Sequence, residues 1–443
     1  MLKAARELGI VFFPAFDWAI SPTHPERQER LLYTLDQLKE EGVFDIPGIR
    51  EYKPEVAGEG DVDRVHFCFP ETSGVVSPSH LVSAGGAIRA GRLVMEKKAA
   101  KAFALVRPPG HHAMKCVHGA RGFCNINIEA VMIERLREEY GPLRVAIVDT
   151  DCHHGDGTQD IYWNDPDTLF ISLHQDGRTL YPGTGFAHEL GGPGALGATV
   201  NVPLPPGTSD EGFLYVAEHL IRPLLDDFKP DLVVNSAGQD NHFSDPITDM
   251  AFSAQGYAKL TEILDADLAV LEGGYSIQGA LPYVNLGIVL SMAGLDYSHV
   301  REPGFEPSRV RQGSAVTDYI RRQCVDIRKL VKNPPPRQRS GEMVGEWFVR
   351  RKTLYYDTDH ITEYQTESVL VCPDCPGVLK IESESSRTPL CLGVQIPIRA
   401  CPRCRSEGER VFTEGAKSGR YAVSRLIDRA GKRYERVGGV AVG

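Results

Sequence analysis

The stretch Arg144-Val-Ala-Ile-Val-Asp149-Thr-Asp151-Cys-His153-His154-Gly-Asp156-Gly157 decides the fold class of this chain. Its first half is an apolar run that ends in a polar residue, which is typical of a strand buried on both faces of a parallel sheet. Its second half places carboxylates and imidazoles directly after that strand. Ligands of open parallel sheets bind beyond the carboxyl ends of the strands. The stretch therefore predicts a buried strand and a functional site at its end.

Several other runs along the first 300 residues have the same character, and helical patterns separate them. The candidate strands are residues 102–106, 144–148, 169–173, 198–203, 231–235 and 267–271. The candidate helices are residues 79–98, 127–140, 210–228 and 276–295, and Pro223 is expected to kink the third of them. This alternation predicts an α/β fold, a three-layer α/β/α sandwich around a mainly parallel sheet.

Polar residues follow the other predicted strands as well. On an extended backbone Asp151 and His153 point to the same side, because side chains alternate with a period of two. Asp240, after strand 231–235, can supply a third ligand. Three protein ligands and one open position make up the catalytic zinc arrangement. For any one of these residues alone, a hydrogen-bonded loop side chain is the competing interpretation.

The tandem His111-His112 adds acid–base capacity near neutral pH. A carboxylate behind an imidazole fixes its tautomer, and Asp149 and Asp156 are free for this role once the metal ligands are assigned. Tyr275 follows two glycines and can present its phenol to a substrate carbonyl. A turn tyrosine without a chemical role is the alternative when this triplet is considered alone.

Residues 10–300 resemble the histone deacetylase superfamily, and within the arginase/deacetylase fold they are most similar to its class II and bacterial acetylpolyamine-amidohydrolase branch. The motifs that carry the resemblance are His24-Pro-Glu-Arg27, RPPGHHA at 107–113, GFCN at 122–125, DTDCHHGDGTQ at 149–159, SLH at 172–174, YPGTG at 181–185, GQDNHFSDP at 238–246 and LEGGY at 271–275. Three features depart from the family pattern: Gln239 replaces an aromatic residue, Ile128 follows Asn127 where a second Asn is usual, and residues 69–78 do not match the acidic substrate-clamping loop.

The resemblance implies a zinc-dependent deacylase that hydrolyses an acetyl or short acyl amide of lysine or of a polyamine and releases acetate. By this resemblance the zinc ligands are Asp151, His153 and Asp240. The acid–base residues are His111 and His112, with His112 as general base, the aspartates behind them, Asp149 and Asp156, and Tyr275, which polarises the carbonyl. The resemblance further implies a narrow acyl-lysine tunnel lined by Gly122, Phe123 and Tyr181, and a monovalent cation such as K⁺ bound by Asp149, Asp151, His153, Ser172 and Leu173. The choice between zinc and iron as the catalytic metal stays open.

The ten cysteines divide into six isolated residues and two C-x-x-C pairs. Cys372 and Cys375 form one pair, Cys401 and Cys404 the other, and 25 residues separate the pairs. Two such knuckles predict a structural zinc ribbon with four thiolate ligands. Four unligated thiols are the alternative.

The charge distribution supports two domains, and a first part that is simply acidic, as many cytoplasmic domains are, is an equal alternative. Residues 1–300 hold 23 Lys and Arg and 41 Asp and Glu, a net charge of −18, whereas residues 301–443 carry a net charge of +8. We expect a catalytic domain at 1–330, a linker at 331–345 and a zinc-ribbon domain at 346–443, and a chain that ends near Arg328 is expected to keep deacylase activity. Four arginines near the second knuckle suit contacts with the phosphates of nucleic acid: Arg399, Arg403, Arg405 and Arg410. A solvated basic face or a protein-docking surface is at least an equal alternative.

Two other function classes compete with the deacylase. A ureohydrolase needs two metal ions and additional ligands, and Tyr275 argues against it. An acyl-ligand-binding scaffold would recruit a partner or nucleic acid through the zinc ribbon. No apolar run approaches the roughly 20 residues that span a bilayer, and the first residues do not form a signal peptide. The sequence thus predicts a cytoplasmic protein without a membrane contact, and it leaves the oligomeric state open.

Overall fold

The computed structural model describes residues 2–16, 18–69, 71–335 and 341–439. Its first sheet has eight strands in the order β2-β1-β4-β10-β9-β6-β7-β8, and every pair of neighbours is parallel. A short two-stranded sheet pairs β3 with β5. The strands are β1 Leu8–Phe13, β2 Ile49–Tyr52, β3 Phe67–Cys68, β4 Lys101–Val106, β5 Cys116–Val117, β6 Val145–Asp149, β7 Thr168–Gln175, β8 Thr199–Leu204, β9 Leu232–Ala237 and β10 Leu268–Leu271.

Helices cover both faces of the first sheet. They are α1 Glu29–Glu40, α2 Glu59–Asp63, α3 Pro78–Met95, α4 Ile128–Tyr140, α5 Asp156–Tyr162, α6 Asp210–Val216, α7 Arg222–Phe228, α8 Ala254–Leu264, α9 Leu281–Met292 and α10 Ser314–Lys332. One buried apolar core joins the sheet to α1 and α6–α10, and a second core joins its other face to α2–α5. The predicted three-layer α/β/α sandwich is confirmed.

All six predicted strands are present, with shifts of one or two residues at their ends. Two strands of the sheet were not predicted. The edge strand β2 is exposed at Arg50 and Glu51, so it lacks the continuous apolar run by which the other strands were recognised. In the predicted helix 210–228, a π-helical segment at Ala217–Ile221 precedes Pro223. A proline has no N–H to donate to the preceding turn, and the wider turn accommodates this loss.

The last hundred residues form a second sheet and one helix. The order of its seven strands is β11-β12-β13-β14-β15-β16-β17, and only the β15–β16 pair is parallel. The elements are β11 Glu342–Val344, β12 Trp347–Tyr356, β13 Ile361–Leu370, β14 Leu379–Ser385, β15 Cys391–Ile396, α11 Pro402–Lys417, β16 Val423–Asp428 and β17 Arg433–Gly438. We call this unit the C-terminal module. It begins at Glu342, inside the predicted linker, of which residues 336–340 lie outside the described residues.

The C-terminal module packs directly against the preceding α/β part of the chain, which holds the predicted catalytic residues and which we call the catalytic part. A shared apolar cluster joins Phe67, Phe69, Cys116 and Trp163 to Phe348, Val369, Leu379, Ile381, Cys391, Val423 and Ile427. Buried ion pairs lie beside this cluster. Glu367 contacts Arg350 at 2.8 Å and Lys352 at 3.0 Å, and Asp160 of α5 contacts the same two cations. The predicted domain boundaries stay predictions, but this interface argues against two independent halves.

Among the described residues, no helix combines the length and the apolar character needed to cross a membrane.

Candidate active site

The candidate site lies where the central strands of the first sheet end. Strands β4, β10, β9, β6 and β7 are consecutive neighbours and all parallel, so their carboxyl ends meet at one edge of the sheet. The segments that follow β4, β6, β9 and β10 carry the predicted histidines, aspartates and tyrosine. The sheet therefore brings together residues that are up to 164 positions apart in the sequence, from His111 to Tyr275.

Asp151, His153 and Asp240 form one buried group whose potential ligand atoms all lie within 4.8 Å of one another. His153 Nδ1 is 3.2 Å from Asp151 Oδ1 and 2.9 Å from Asp240 Oδ2. Backbone N–H groups orient the carboxylates, because Gly273 donates to Asp151 Oδ2 at 2.7 Å and Cys152 to Asp240 Oδ1 at 2.6 Å. Two buried carboxylates beside one imidazole leave negative charge that a divalent cation would neutralise, so this donor set fits a metal ion.

Gly273 shows why this cluster needs a glycine in the adjoining turn. A Cβ atom at this position would lie 2.6 Å from Asp151 Oδ2 and 2.6 Å from Asp240 Oδ2. Any side chain would displace the two carboxylates, so only glycine lets the backbone approach them.

The two histidines of the predicted pair are held by separate aspartates. His111 Nδ1 lies 3.1 Å from Asp149 Oδ2, and His112 Nδ1 lies 2.8 Å from Asp156 Oδ1. The ring centroids of the histidines are 4.1 Å apart, and the His112 ring is 6.1 Å from the His153 ring. Both Nε2 atoms therefore remain free of Asp149 and Asp156, and His111 Nε2 lies 3.8 Å from Asp151 Oδ1 of the candidate metal group.

Electrostatics separate the two histidines. Burial and the neighbouring His111 lower the pKa of His112 to about 3, although Asp156 opposes this shift. Burial also disfavours a charge on His111, but the carboxylates of Asp151 and Asp149 outweigh burial and raise the pKa of His111 well above its usual value. Without a bound metal, His112 is therefore neutral at pH 7 and can accept a proton, whereas His111 is cationic.

Aromatic side chains surround the histidines. Tyr275 is 7% exposed, and burial raises the pKa of its phenol well above the usual value, so it stays protonated. The Phe123 ring lies 5.8 Å from the Tyr275 ring, and the Tyr181 ring lies 5.2 Å from the His112 ring. Gly122 abuts His112, because a Cβ at Gly122 would lie 2.4 Å from the His112 ring. The structure thus places Gly122 and Tyr181 against His112, and Phe123 against Tyr275.

The predicted ligands of a monovalent cation also lie close to the metal group. Asp149 ends β6 and pairs in register with Ser172 of β7, and Leu173 is the next residue of that buried strand. Asp151 N donates to Asp149 Oδ1 at 3.0 Å. These positions are compatible with the predicted site, and the identity of its ion stays a prediction.

The sequence analysis assigned no role to one buried group of site residues. Arg30 of α1 donates to the Gly274 carbonyl at 2.7 Å and pairs with the buried Glu26 at 2.9 Å, and Glu26 also accepts from Arg107 Nε at 2.8 Å. The guanidinium of Arg30 lies 5.1 Å from the centroid of the Tyr275 ring. The charged residues in and after His24-Pro-Glu-Arg27 are the sequence feature that could have indicated this group. Charged side chains that become buried need partners within the protein.

Glu272 and Arg121 are two further residues to which the sequence analysis assigned no role. Glu272 Oε2 accepts from the N–H groups of Gly110 and His111 at 2.8 and 3.1 Å. Arg121 Nη2 pairs with Asp156 at 2.8 Å and its Nη1 donates to the Tyr181 hydroxyl at 2.8 Å. Burial tends to raise the pKa of Asp156, but Arg121 and His112 outweigh it and lower that pKa to about 2. Arg121 thus keeps the carboxylate behind His112 ionised.

The four paired cysteines meet in the C-terminal module. Cys372 and Cys375 follow β13, Cys401 is the N-cap of α11, and Cys404 lies in its first turn. All four sulfur atoms lie within 4.8 Å of one another. The Cys404 N–H contributes most to lowering the pKa of Cys401 to about 7, which favours a thiolate. The donor set fits a four-thiolate metal site.

The predicted basic surface near the second knuckle is largely neutralised within the chain. Arg399 pairs with Asp167 at 3.0 Å, Arg403 with Glu346 at 2.6 Å, and Arg410 with Glu407 at 2.7 Å. These pairs reduce the charge that phosphates would attract. Contact with nucleic acid stays a prediction without support from this surface.

Comparisons with known proteins agree with the geometry. The model of the histone deacetylase domain family matches residues 70–285. A probable deacetylase of Archaeoglobus fulgidus is 48% identical over 323 residues, which cover 67% of this chain and 89% of the relative. The histone deacetylase-like amidohydrolase of Pseudomonas aeruginosa is 36% identical and covers 55% of this chain and 66% of the relative.

Two further matches extend the comparison. The acetylpolyamine amidohydrolase of Burkholderia pseudomallei is 38% identical over 207 residues, which cover 46% of this chain and 57% of the relative. The crystal structure of the HDA15 HD domain superposes with a TM-score of 0.61 at 26% identity and covers 74% of this chain and 96% of that chain. The Archaeoglobus relative is matched over most of its length, and the site has the geometry described above. This chain therefore belongs to the histone deacetylase family and is a metal-dependent amidohydrolase.

Proposed function

We propose that this chain hydrolyses the acetyl or short acyl amide of a lysine side chain or of a polyamine and releases acetate or the short acid. The observation that carries the proposal is the arrangement of two histidine–aspartate pairs and a protonated tyrosine around the group of Asp151, His153 and Asp240. A scaffold without turnover has no need for this complete set of acid–base groups.

The chemistry follows from the residues present. A divalent cation held by Asp151, His153 and Asp240, which we propose to be zinc, would supply Lewis acidity that activates water and polarises a carbonyl. His112, neutral at pH 7, accepts the proton of the attacking water at Nε2, while Asp156 holds Nδ1. Tyr275 donates its phenolic hydrogen to the carbonyl oxygen and stabilises the negative charge that develops there.

Collapse of the tetrahedral species completes the reaction. The C–N bond breaks, and the proton taken up by His112 passes to the departing amine nitrogen. The products are a free amine and a carboxylic acid, so no redox partner is needed. We further propose that Gly122, Phe123 and Tyr181 enclose the chain of the acylated amine. The contacts of Gly122 and Tyr181 with His112, and of Phe123 with Tyr275, support such a passage. We also propose that a K⁺ ion binds near Ser172 and that a structural zinc ion binds the four paired cysteines. The proposed location of the protein is the cytoplasm.

The test compares wild type with Tyr275→Phe on a panel of acetyl-lysine peptides, acetylated polyamines and other small amides. We expect wild type to turn over at least one class, and Tyr275→Phe to lower kcat by about 10²–10³-fold, as for loss of one oxyanion donor. Tyr283→Phe, a partly buried tyrosine of α9, is the matched control and should behave as wild type. Equal kcat values for Tyr275→Phe and wild type would contradict the catalytic role of Tyr275. If wild type hydrolyses none of the amides, the proposed function is wrong.

A further inference from the structure

The turn between β12 and β13 of the C-terminal module lies against the backbone of the catalytic part. The Gly122 N–H donates to Asp357 Oδ1 at 3.0 Å, and the Ala120 N–H donates to Asp359 Oδ2 at 2.6 Å. Ala120 and Gly122 belong to the segment that leads from the tandem histidines to Phe123. Two carboxylates of the module therefore hold the backbone beside the active site.

The same segment is held along most of its length. The Tyr356 hydroxyl donates to the Cys116 carbonyl at 2.8 Å, and His118 Nε2 lies 2.8 Å from the Ser383 hydroxyl oxygen. At Gly119 a Cβ would lie 2.5 Å from Asp359 Oδ2, so a side chain there would displace the Asp359 carboxylate. These contacts come from three strands or turns of the module, so the segment follows the shape of the module's surface.

Asp357 contacts the part of this segment whose backbone has positive φ angles. Gly122 has a φ of +53° and Phe123 a φ of +69°, both in the left-handed region. A non-glycine residue in a sparsely populated conformation is strained and persists only when its surroundings hold it there. Asp357 binds the N–H of this turn, while the Phe123 ring packs on His24 at 4.4 Å and on Tyr275 at 5.8 Å.

The neighbours of Asp357 belong to the acid–base machinery. Arg121, which precedes Gly122, connects the Asp156 carboxylate to the Tyr181 hydroxyl. Burial is the main cause that raises the pKa of Tyr181, and the carboxylates of Asp156 and Asp357 act in the same direction against Arg121. The turn of the module thus meets Gly122, Arg121 and Tyr181 at one place on the rim of the site.

We infer that Asp357 is a positioning residue of the active site, which holds the strained Gly122-Phe123 turn against His112 and makes the C-terminal module part of the catalytic unit. The inference rests on the proposed deacylase function and deepens it. A purely structural anchor at the interface is the competing explanation, and the two differ in what removal of the carboxylate does to substrate binding.

The experiment uses the full chain with Asp357→Ala, Asp357→Asn and the control Glu384→Ala, an exposed carboxylate of β14. The probe is the small acetyl-lysine amide that wild type turns over, and KM and kcat are measured separately. We expect Asp357→Ala to raise KM several-fold and to lower kcat/KM by about tenfold, because displacement by a fraction of an ångström weakens alignment. Loss of folded protein alone would lower kcat and leave KM unchanged. Asp357→Asn keeps an acceptor oxygen for the Gly122 N–H and should recover most of the activity.

Amide hydrogen exchange of residues 119–123 gives a second readout that does not depend on turnover. We expect faster exchange in Asp357→Ala, near wild-type exchange in Asp357→Asn, and no change in Glu384→Ala. Wild-type kinetics and exchange in Asp357→Ala would overturn the inference. If Asp357→Ala does not fold, Asp357→Asn decides, since a KM and an exchange rate equal to wild type support the acceptor role and a tenfold loss contradicts it. If wild type hydrolyses no amide, the proposed function fails, and the exchange data still decide whether Asp357 holds the turn.

Discussion

The two candidate metal clusters of this chain differ in their ligands and in their neighbours. Asp151, His153 and Asp240 come from the ends of neighbouring parallel strands, are all buried, and face histidines and a tyrosine. The four thiols come from a loop after β13 and from the start of α11, and three of them are only half-buried. Ligands at strand ends leave space for a substrate, whereas four thiolates complete a tetrahedron and close it. The first cluster is therefore suited to chemistry and the second to stability.

One long hairpin links these two regions. Strands β12 and β13 have ten residues each, so the hairpin spans about 34 Å. The cysteine pair Cys372 and Cys375 follows one end of the hairpin, and the turn with Asp357 lies at the other end, on the segment beside His112. The hairpin therefore connects the four-thiol cluster to the turn that contacts the segment beside His112.

The largest expected effect comes from a ligand of the buried cluster. Asp240→Ala should lower kcat/KM by about 10³-fold or more, because the Lewis acid supplies several kcal/mol to the transition state. Metal content should fall by one equivalent per chain, and the thiolate site should keep its metal. Elemental analysis and turnover measure both effects. The control Asp249→Ala changes an exposed aspartate nearby and should retain full metal and activity. Unaltered metal content in Asp240→Ala would contradict the division into two sites.

Removal of the module tests whether the two regions are separable. The sequence predicted that a chain ending near Arg328 would stay active, but that residue lies inside α10, and a cleaner end is after Lys332. This truncation uncovers Phe67, Phe69 and Trp163. We expect a large loss of soluble monomer and of activity, since an exposed apolar patch of this kind promotes aggregation. Size-exclusion chromatography and turnover are the measurements. A monomeric, fully active truncation would restore the prediction made from the sequence.

The double change Cys372→Ser with Cys375→Ser should act on the other end of the hairpin. We expect loss of one metal equivalent and a Tm lower by at least about 5 °C, because metal binding contributes directly to folding. Activity should fall by less than for Asp240→Ala, because the buried cluster keeps its ligands. Calorimetry and elemental analysis check both effects, and Cys324→Ser, which alters a cysteine outside the cluster, should keep both metals. Loss of both metals in the double variant would show that the clusters are not independent.

The smallest effect concerns the pH dependence of the buried site. Burial tends to raise the pKa of Asp156, but Arg121 is the strongest of the neighbours that lower this pKa, to about 2. In Arg121→Met the Asp156 carboxylate should protonate at a higher pH than in wild type. On acidification the variant should therefore lose activity at a pH at which wild type is still active. The acid limb of kcat/KM should therefore shift upward, with little change at pH 8. Arg178→Met, at an exposed arginine, should leave the profile unchanged. An unshifted acid limb in Arg121→Met would remove this role.

Several features of this protein were determined by the sequence itself. The apolar run at 144–148 and the polar residues directly after it predict a buried strand with ligands at its end, because strand period and ligand spacing are local properties. The spacing of the cysteine pairs is local in the same way. The structure brings the residues of each set together: Asp151, His153 and Asp240 in one group, and the four cysteines in the other.

Only the tertiary structure decided how the module and the catalytic part meet. Gly122 and Asp357 are 235 residues apart, and the pairs of Arg107 with Glu26 and of Arg121 with Asp156 join separate elements. No periodicity or spacing encodes such contacts, because each depends on how two folded surfaces fit together. For the same reason the sequence suggested two separate domains: charge and composition report on each segment by itself, whereas the shared apolar cluster and the hydrogen bonds across the interface exist only once both sheets have formed.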